Sequence, residues 1–401
     1  MHYLNCLNNV SSFDEARKIL ESKGLVIKVY ETREGASTFY PELYIVKYDK
    51  NKSNMMDPDV QKCRGLVLSK TDNKVVCPVP PKSISDIDFI QNFNSSPEQY
   101  SVQDFIDGTM VNVFQFNGQT YIATRSCLNA KCRWFSKQTF ADMFKQCLGK
   151  SPEKLETLDM KYCYSFVIQH PDNTIVKQYQ VPDLVLTMVS EVDADGNVLF
   201  HNTHDFVSTH NLDFRVPTEI NFKKIEDVYG YVSSLGETDQ GVIILKKSEQ
   251  NEHVRTKIRN LKYNNVRQLR GNTNNKMYLF FELRKQGNGA YETYLQHFED
   301  DKELFDSFRD KLYTFTQRLF QNYLDCFVNK NEQGSSVKEH KNIDFELKPL
   351  VAELHSQYYN TRQRTTKNAV IQYLHRMDIP RLLFVLNYSP PTETSDAVQE
   401  S

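Results

Sequence analysis

The feature that most constrains this chain is a change of hydrophobic period along it. From Leu25 to about Ile244 the apolar residues come in short runs: YIVKY, RGLVLSK, VNVFQF, YIATRS, CYSFVIQ, TIVKQY, LVLTMVSEV and GVIILKK. These alternate, or stay apolar for a strand's length, as β-strands do. After about residue 290 the stretch KELFDSFRDKLYTFTQRLFQNYLDCF repeats its aromatic and aliphatic residues every three or four positions, the spacing of one long amphipathic helix. ELKPLVAELHSQYYNT and NAVIQYLHRMDIPRLLFVLNY predict two or three more helices. The two textures imply an α+β domain over residues 1–285, an all-helical C-terminal domain over 286–388 and a disordered polar tail over 389–401.

Helices also interrupt the strand-rich part. Ser12 precedes an acidic first turn and ARKILESKG, which ends on a glycine, and residues 136–147 carry apolar side chains at helical spacing. Asn117-Gly118 and Asp195-Gly-Asn197 read as hairpin turns. Lys and Arg number 49 against 51 Asp and Glu, a net charge of -2, so affinity for nucleic acid has to come from a local patch. The chain lacks a basic start leading into an apolar run and has no apolar stretch of about twenty residues, which predicts a cytoplasmic protein without a membrane partner. Eight cysteines without a C-x-x-C pair suggest reduced thiols; Cys127 and Cys132 lack a second ligand pair, and no metal site is expected.

Chemistry-bearing residues recur at ordered intervals. Arg64-Gly-Leu-Val67 is followed about forty residues later by Asp104-Phe-Ile-Asp-Gly-Thr109, and then by Tyr121-Ile-Ala-Thr-Arg-Ser126. Ser165-Phe-Val-Ile-Gln-His-Pro-Asp-Asn-Thr-Ile-Val176, Asp239-Gln-Gly-Val-Ile-Ile244 and Thr256-Lys-Ile-Arg-Asn-Leu-Lys-Tyr263 complete the series. In this order the segments resemble the motifs of ATP-dependent RNA ligases of the phage tRNA-repair type, members of the nucleotidyltransferase superfamily. Their likeness covers about residues 64–263. It implies a nucleotidyltransferase fold (ATP-grasp-like, with antiparallel sheets and flanking helices), and the family also carries a helical C-terminal domain.

The departures fall where ligation chemistry is done. In the resembled motif K-x-D-G a lysine amine attacks the α-phosphate of ATP. Here Phe105 occupies that position, Val167 stands where a glutamate contacts the ribose, and Gln240 replaces a glutamate that positions metal. What the resemblance keeps is Arg64, Asp107, Gly108, Arg125, Lys257 and Arg259 as residues expected to bind nucleotide or RNA. The four cations among them are expected to converge on one cleft. The reading is of a pseudoenzyme that binds RNA ends, tRNA included, or nucleotide without sealing them. ATP and Mg²⁺ are expected as cofactors only if the family activity survives, through a displaced nucleophile such as Lys82 or Lys257. A third reading is a structural or partner-binding protein acting through the helical domain; the family's frequency in phages and large DNA viruses is compatible with a viral source, in a host cytoplasm or a virion.

The run from Arg255 to Arg270 adds Lys262 and Arg267, contains no acidic residue and interleaves Tyr263, a pattern of single-stranded nucleic-acid binding or of a solvated face. His355 and His375 read as packed or surface residues, Trp134 as core, and Glu353, His355, Tyr358 and Tyr359 as a contact surface or as helix packing.

Overall fold

The computed structural model describes residues 2–30, 42–92, 100–134, 136–149, 152–246 and 253–389. The chain divides into two compact units, 1–268 and 269–401. In the first, β1 (Leu25–Tyr30), β2 (Leu43–Tyr48), β3 (Arg64–Ser69) and β4 (Val75–Cys77) form an antiparallel sheet in that order. β5 (Tyr100–Asp104) leads through Phe105–Gly108 into β6 (Thr109–Phe116), which turns at Asn117-Gly118 into β7 (Gln119–Thr124). β8 (Tyr162–Gln169), β9 (Asp183–Val192) and β10 (Val198–His201) join them in a five-stranded sheet of order β10-β9-β8-β6-β7. β11 (Gly241–Lys246) and β12 (Arg255–Arg259) pair with β5 in a third sheet, β12-β11-β5.

The period-two pattern explains how these sheets pack. On β2, Leu43 and Ile45 point to one core and Tyr44 and Val46 to another. On β6, Val111 and Val113 enter one core and Phe114 the opposite one. The first and second sheets therefore share an apolar layer containing Leu43, Ile45, Val67, Phe114, Tyr121 and Ala123. Their outer faces are covered by α1 (Phe13–Ser22), which buries Ala16 and Leu20, and by α4 (Phe140–Leu148), which buries Met143 and Phe144. Between those two in the chain lie α2 (Pro58–Lys62) and α3 (Asp86–Asn92). α5 (Thr203–Thr209), α6 (Ile225–Ser234) and α7 (Leu261–Arg270) follow, and α3 and α6 cover the third sheet through Phe89, Val228 and Val232. Each such large apolar side chain removed from water contributes about 1.5–3 kcal/mol before chain entropy is opposed to it.

The second unit is helical, as the period shift predicts. It holds α8 (Lys276–Gln286), α9 (Ala290–His297), α10 (Lys302–Phe327), α11 (Lys348–Thr361), α12 (Lys367–Arg376) and α13 (Ile379–Asn387). α10 spans the whole 26-residue repeat and buries Phe305, Phe315, Leu319, Tyr323 and Cys326 along one stripe. The division falls at 268/269, ahead of the expected 285/286. α8 is the reason: it buries Met277, Leu279, Phe280, Phe281 and Leu283 around its circumference, and it packs with α9, α10 and α13. The expected tail over 389–401 lies, apart from Ser389, outside the described residues.

Two other expectations are corrected. TIVKQY is not a strand; its chain runs irregularly between Asn173 and β9, because the amides of Val176 and Lys177 donate to the Asp107 carboxylate (3.2 and 3.0 Å) instead of to a neighbouring strand. Trp134 is not core but 42% exposed. Ser12 does precede α1, although its hydroxyl makes no capping bond. All eight cysteines are free thiols. Among the described residues no helix is long and apolar enough to cross a membrane.

Candidate functional site

The loop Phe105–Gly108 joins the third sheet to the second, so whatever it carries faces the junction between them. Its conformation is set by two features. The Phe105 amide donates to the carbonyl of Gly241 (3.0 Å), tying the loop to β11. Gly108 adopts φ +145°, and a Cβ there would lie 2.3 Å from the carbonyl oxygen of Ile168 on β8. No other residue fits so close to a neighbouring strand. Gly108→Ala is expected to cost about 3 kcal/mol, combining backbone strain with the clash; an unchanged urea midpoint would contradict this placement.

Beneath the loop lies a cleft of about 180 Å³. Arg64, Phe105, Asp107, Gly108, Val167, Gln240, Lys257 and Arg259 all line it, joined by Asp104, His253, Arg255, Tyr263 and Arg267. Segments far apart in the sequence therefore meet in one cleft. Arg125 is the exception: it is exposed and lies outside the lining, with its backbone against Gly65 and its charge near Arg64. Lys82 opens on an adjoining cavity instead.

Two of the three positions that depart from the resembled motifs act on Arg259. Its guanidinium sits 5.0 Å from the centroid of the Phe105 ring, a cation–π arrangement. With its amide oriented by its neighbours, Gln240 donates to the carbonyl of Ile106 (3.3 Å) and accepts from Nη1 of Arg259 (3.0 Å). Aromatic ring and amide thus brace the cation while leaving its charge uncompensated. The third, Val167, is buried and stands against Gly108 on the face of β8 that it shares with Ser165.

Asp107 has a different role from the one expected of it. The carboxylate is 5% exposed and accepts from the Tyr263 hydroxyl (2.8 Å) as well as from the Val176 and Lys177 amides. Its own carbonyl accepts from Tyr179 (3.0 Å) and Gln169 (3.2 Å). Asp107 is thus the knot that holds the loop, α7 and the chain after Asn173 together. Tyr263 is 1% exposed and committed to that knot, so it offers no platform for stacking a base.

Five cations and two carboxylates line the cleft. Among the described residues, Arg64, Arg255, Lys257, Arg259 and Arg267 form no ion pair. Like charge and withdrawal from water act together here. Burial and then Arg64 push Arg255 down to about 9, while burial lowers Arg64 and burial followed by Arg267 lowers Arg259. Lys257 is open to the cleft, yet the walls strip enough water from its ammonium, with Arg259, Arg64, Arg255 and Lys82 adding repulsion, to bring it down to about 8. Burial holds His253 neutral, with a pKa near about 3. Such a site has unmet demand for an anion. The donor set for a divalent cation is thin: both Asp107 oxygens are taken and Gln240 is neutral and turned to Arg259, which leaves the Asp104 carboxylate as the one anionic ligand. Nor, among the described residues, are three or more His, Cys, Asp or Glu side chains grouped to hold a metal ion.

Known ligases share features with this chain. It is 21% identical over 309 residues to the "Putative bifunctional polynucleotide kinase/RNA ligase" of Autographa californica nuclear polyhedrosis virus, a match over 73% of this chain. The match covers 42% of that relative, less than half its length. Among solved structures, an archaeal ATP-dependent RNA ligase superposes with a TM-score of 0.45 at 13% identity, over 77% of this chain and 79% of that one. A Naegleria gruberi RNA ligase mutant with ATP and Mn gives 0.37 at 10% identity, over 46% and 56%. No family model matches the chain.

The sequence also left residues unassigned. Arg255 was legible as part of the basic run, but its burial and its bonds to the carbonyls of Pro81 (2.9 Å) and Pro80 (3.4 Å) were not. Lys262 turns away to the carbonyl of Leu235 (3.0 Å), and Arg270 is 4% exposed and faces Phe298. In the helical unit, Glu353 is held by Arg381 (2.5 Å) and Tyr373 (2.7 Å), while His355 stacks on Phe327 at 3.7 Å. His375 is exposed, and Tyr359 is 62% exposed.

Proposed function

We propose that this chain is an RNA-ligase-like pseudoenzyme of the cytoplasm, a host's if its source is viral, that holds the phosphate of an RNA end or a nucleotide without joining ends. The observation that carries the reading is the bracing of Arg259 by Phe105 and Gln240, the very positions where a ligase would need an amine and a carboxylate. A glutamate at 240 would neutralise Arg259. The amide keeps its charge available, which suits a phosphate ligand. The cleft volume of about 180 Å³ agrees, since it admits a phosphate group and several waters. A site that engulfs a whole drug-sized ligand has about 300–1,000 Å³.

The experiment compares a 5′-phosphorylated oligoribonucleotide with its 5′-hydroxyl twin by fluorescence anisotropy. The phosphorylated strand is expected to bind about tenfold tighter, the worth of one charge-assisted contact set; equal affinity would refute the reading. Its preference should also depend on pH. The end phosphate is already dianionic at pH 7.5, given a second pKa of about 6. Lys257 has a lowered pKa, so its positive charge is present below about 8 and is lost as pH rises through that value. Affinity for the phosphorylated strand is therefore expected to fall between pH 7.5 and 9, and Lys257→Arg to flatten that fall, since a guanidinium holds its proton to higher pH than an ammonium in the same place.

One observation favours a second reading. An amine brought down to about 8 is a better nucleophile at neutral pH than an ordinary lysine, and Lys257 lies in the cleft. An active ligase that takes its adenylate on Lys257 would bear a covalent nucleotide.

A further inference from the structure

A second cavity of about 540 Å³ adjoins the cleft, and His253 and Arg255 line both. Its walls come from α2, the chain around Lys82, β10 and the start of β12. Three of these are tied together: the Lys82 amide donates to the Gln61 carbonyl (2.8 Å), the Ile84 amide donates to the Arg255 carbonyl (3.0 Å), and Thr256 donates to the Ile84 carbonyl (3.0 Å). Arg255 is the partition. Its Nε and Nη2 are spent on Pro81 and Pro80, which leaves Nη1 for a ligand.

The lining has a consistent chemistry. It includes Lys62, Lys82 and Arg255 and contains no Asp or Glu. Lys62 is used internally, donating to the Tyr3 carbonyl (2.6 Å). Lys82 makes one weak bond, to the Ser83 carbonyl (3.4 Å), and among the described residues it has no carboxylate partner. Beside these cations, Phe200 and His253 stand ring to ring at 4.9 Å, an uncharged aromatic surface. Asn197 and Gln61 supply amides at the rim. Cations without anions, one aromatic pair and a few amides are what a nucleoside flanked by phosphates requires.

We infer that the cleft and this cavity form one track for the first two nucleotides of a strand, the terminal phosphate at Lys257 and Arg259 and the next nucleotide at Phe200 and Lys82. The inference rests on the phosphate-binding reading of the cleft and adds to it the size of the ligand: a dinucleotide end in place of a mononucleotide. Two nucleosides joined through phosphate also occur in dinucleotide cofactors such as NAD, so the test separates the two sources.

The full chain is titrated by calorimetry with inorganic phosphate, adenosine 5′-monophosphate, the 5′-phosphorylated ribodinucleotide pApA, and NAD. We expect pApA to bind at least about tenfold tighter than the mononucleotide, the equivalent of about 1.4 kcal/mol and within the range of one stacked base. Lys82→Gln and Phe200→Leu are each expected to erase most of that margin, and Phe200→Leu to leave phosphate and mononucleotide binding within twofold. Equal affinity for the mononucleotide and pApA, or a margin that survives both variants, overturns the track while leaving the phosphate reading standing. NAD binding tighter than pApA overturns the strand-end assignment. Failure of all four ligands overturns both this inference and the reading beneath it. Lys82 is half-exposed and outside every core, so its variant keeps the test decisive if the Phe200 variant folds poorly.

Discussion

Asp107→Ala is expected to lower the stability of the first unit by about 3–5 kcal/mol, the largest single-residue effect in the molecule outside its apolar cores. The carboxylate accepts three hydrogen bonds, from Tyr263, Val176 and Lys177, at a position 5% exposed. Truncation strands those donors, and each buried unmet donor costs about 1–3 kcal/mol, less whatever water enters to replace the acceptor. Asp107→Asn keeps one acceptor oxygen but brings an amide towards the donors, and should fall between wild type and alanine. Equilibrium urea unfolding measures both. A loss under about 1 kcal/mol for the alanine variant would mean that the loop is held by something other than this knot.

The second large effect concerns binding. The double variant Lys257→Glu, Arg259→Glu is expected to weaken binding of a 5′-phosphorylated oligoribonucleotide by about 100-fold or more, because two charge-assisted contacts are lost and like charge is set against the phosphate. Neither side chain forms an ion pair among the described residues, so reversal removes no structural partner of that kind. Gln240→Glu should act more gently and in the same direction, about tenfold, by placing a carboxylate on Arg259. Arg125→Glu serves as the control, since that exposed side chain lies outside the cleft. If all three bind alike, the cleft is not where the phosphate goes.

What the residues reveal in advance, and what they hide, follows physical lines. The β6–β7 hairpin was legible because its turn is local: Asn117 and Gly118 both take positive φ, at 49° and 75°, which their side chains permit at little cost. α10 was legible because a 26-residue repeat leaves one amphipathic solution. TIVKQY has the composition of a strand and is not one, because its amides are claimed by an acceptor 69 positions away. No periodicity records such a bond. Tyr263 fits the basic-aromatic pattern of a nucleic-acid surface, and only the fold shows it buried on Asp107.

At the site itself, the departure of Phe105, Val167 and Gln240 from the resembled motifs was legible in the sequence. That Phe105 and Gln240 brace Arg259 required side-chain geometry. Arg64 and Arg125 looked alike as conspicuous arginines near strands, and their exposures separate them: one is half-buried in the cleft, the other on the surface.

The account stands on the proposal that no side chain beneath the Phe105 loop, Lys257 included, takes up an adenylate. Its most direct test incubates the full chain with ATP labelled at the α-phosphate and Mg²⁺, then denatures it and separates it on a gel. The account predicts no covalent label on the protein under conditions where it still binds a 5′-phosphorylated strand. A labelled band that survives denaturation and disappears in Lys257→Arg would contradict it and name Lys257 as the attacking amine.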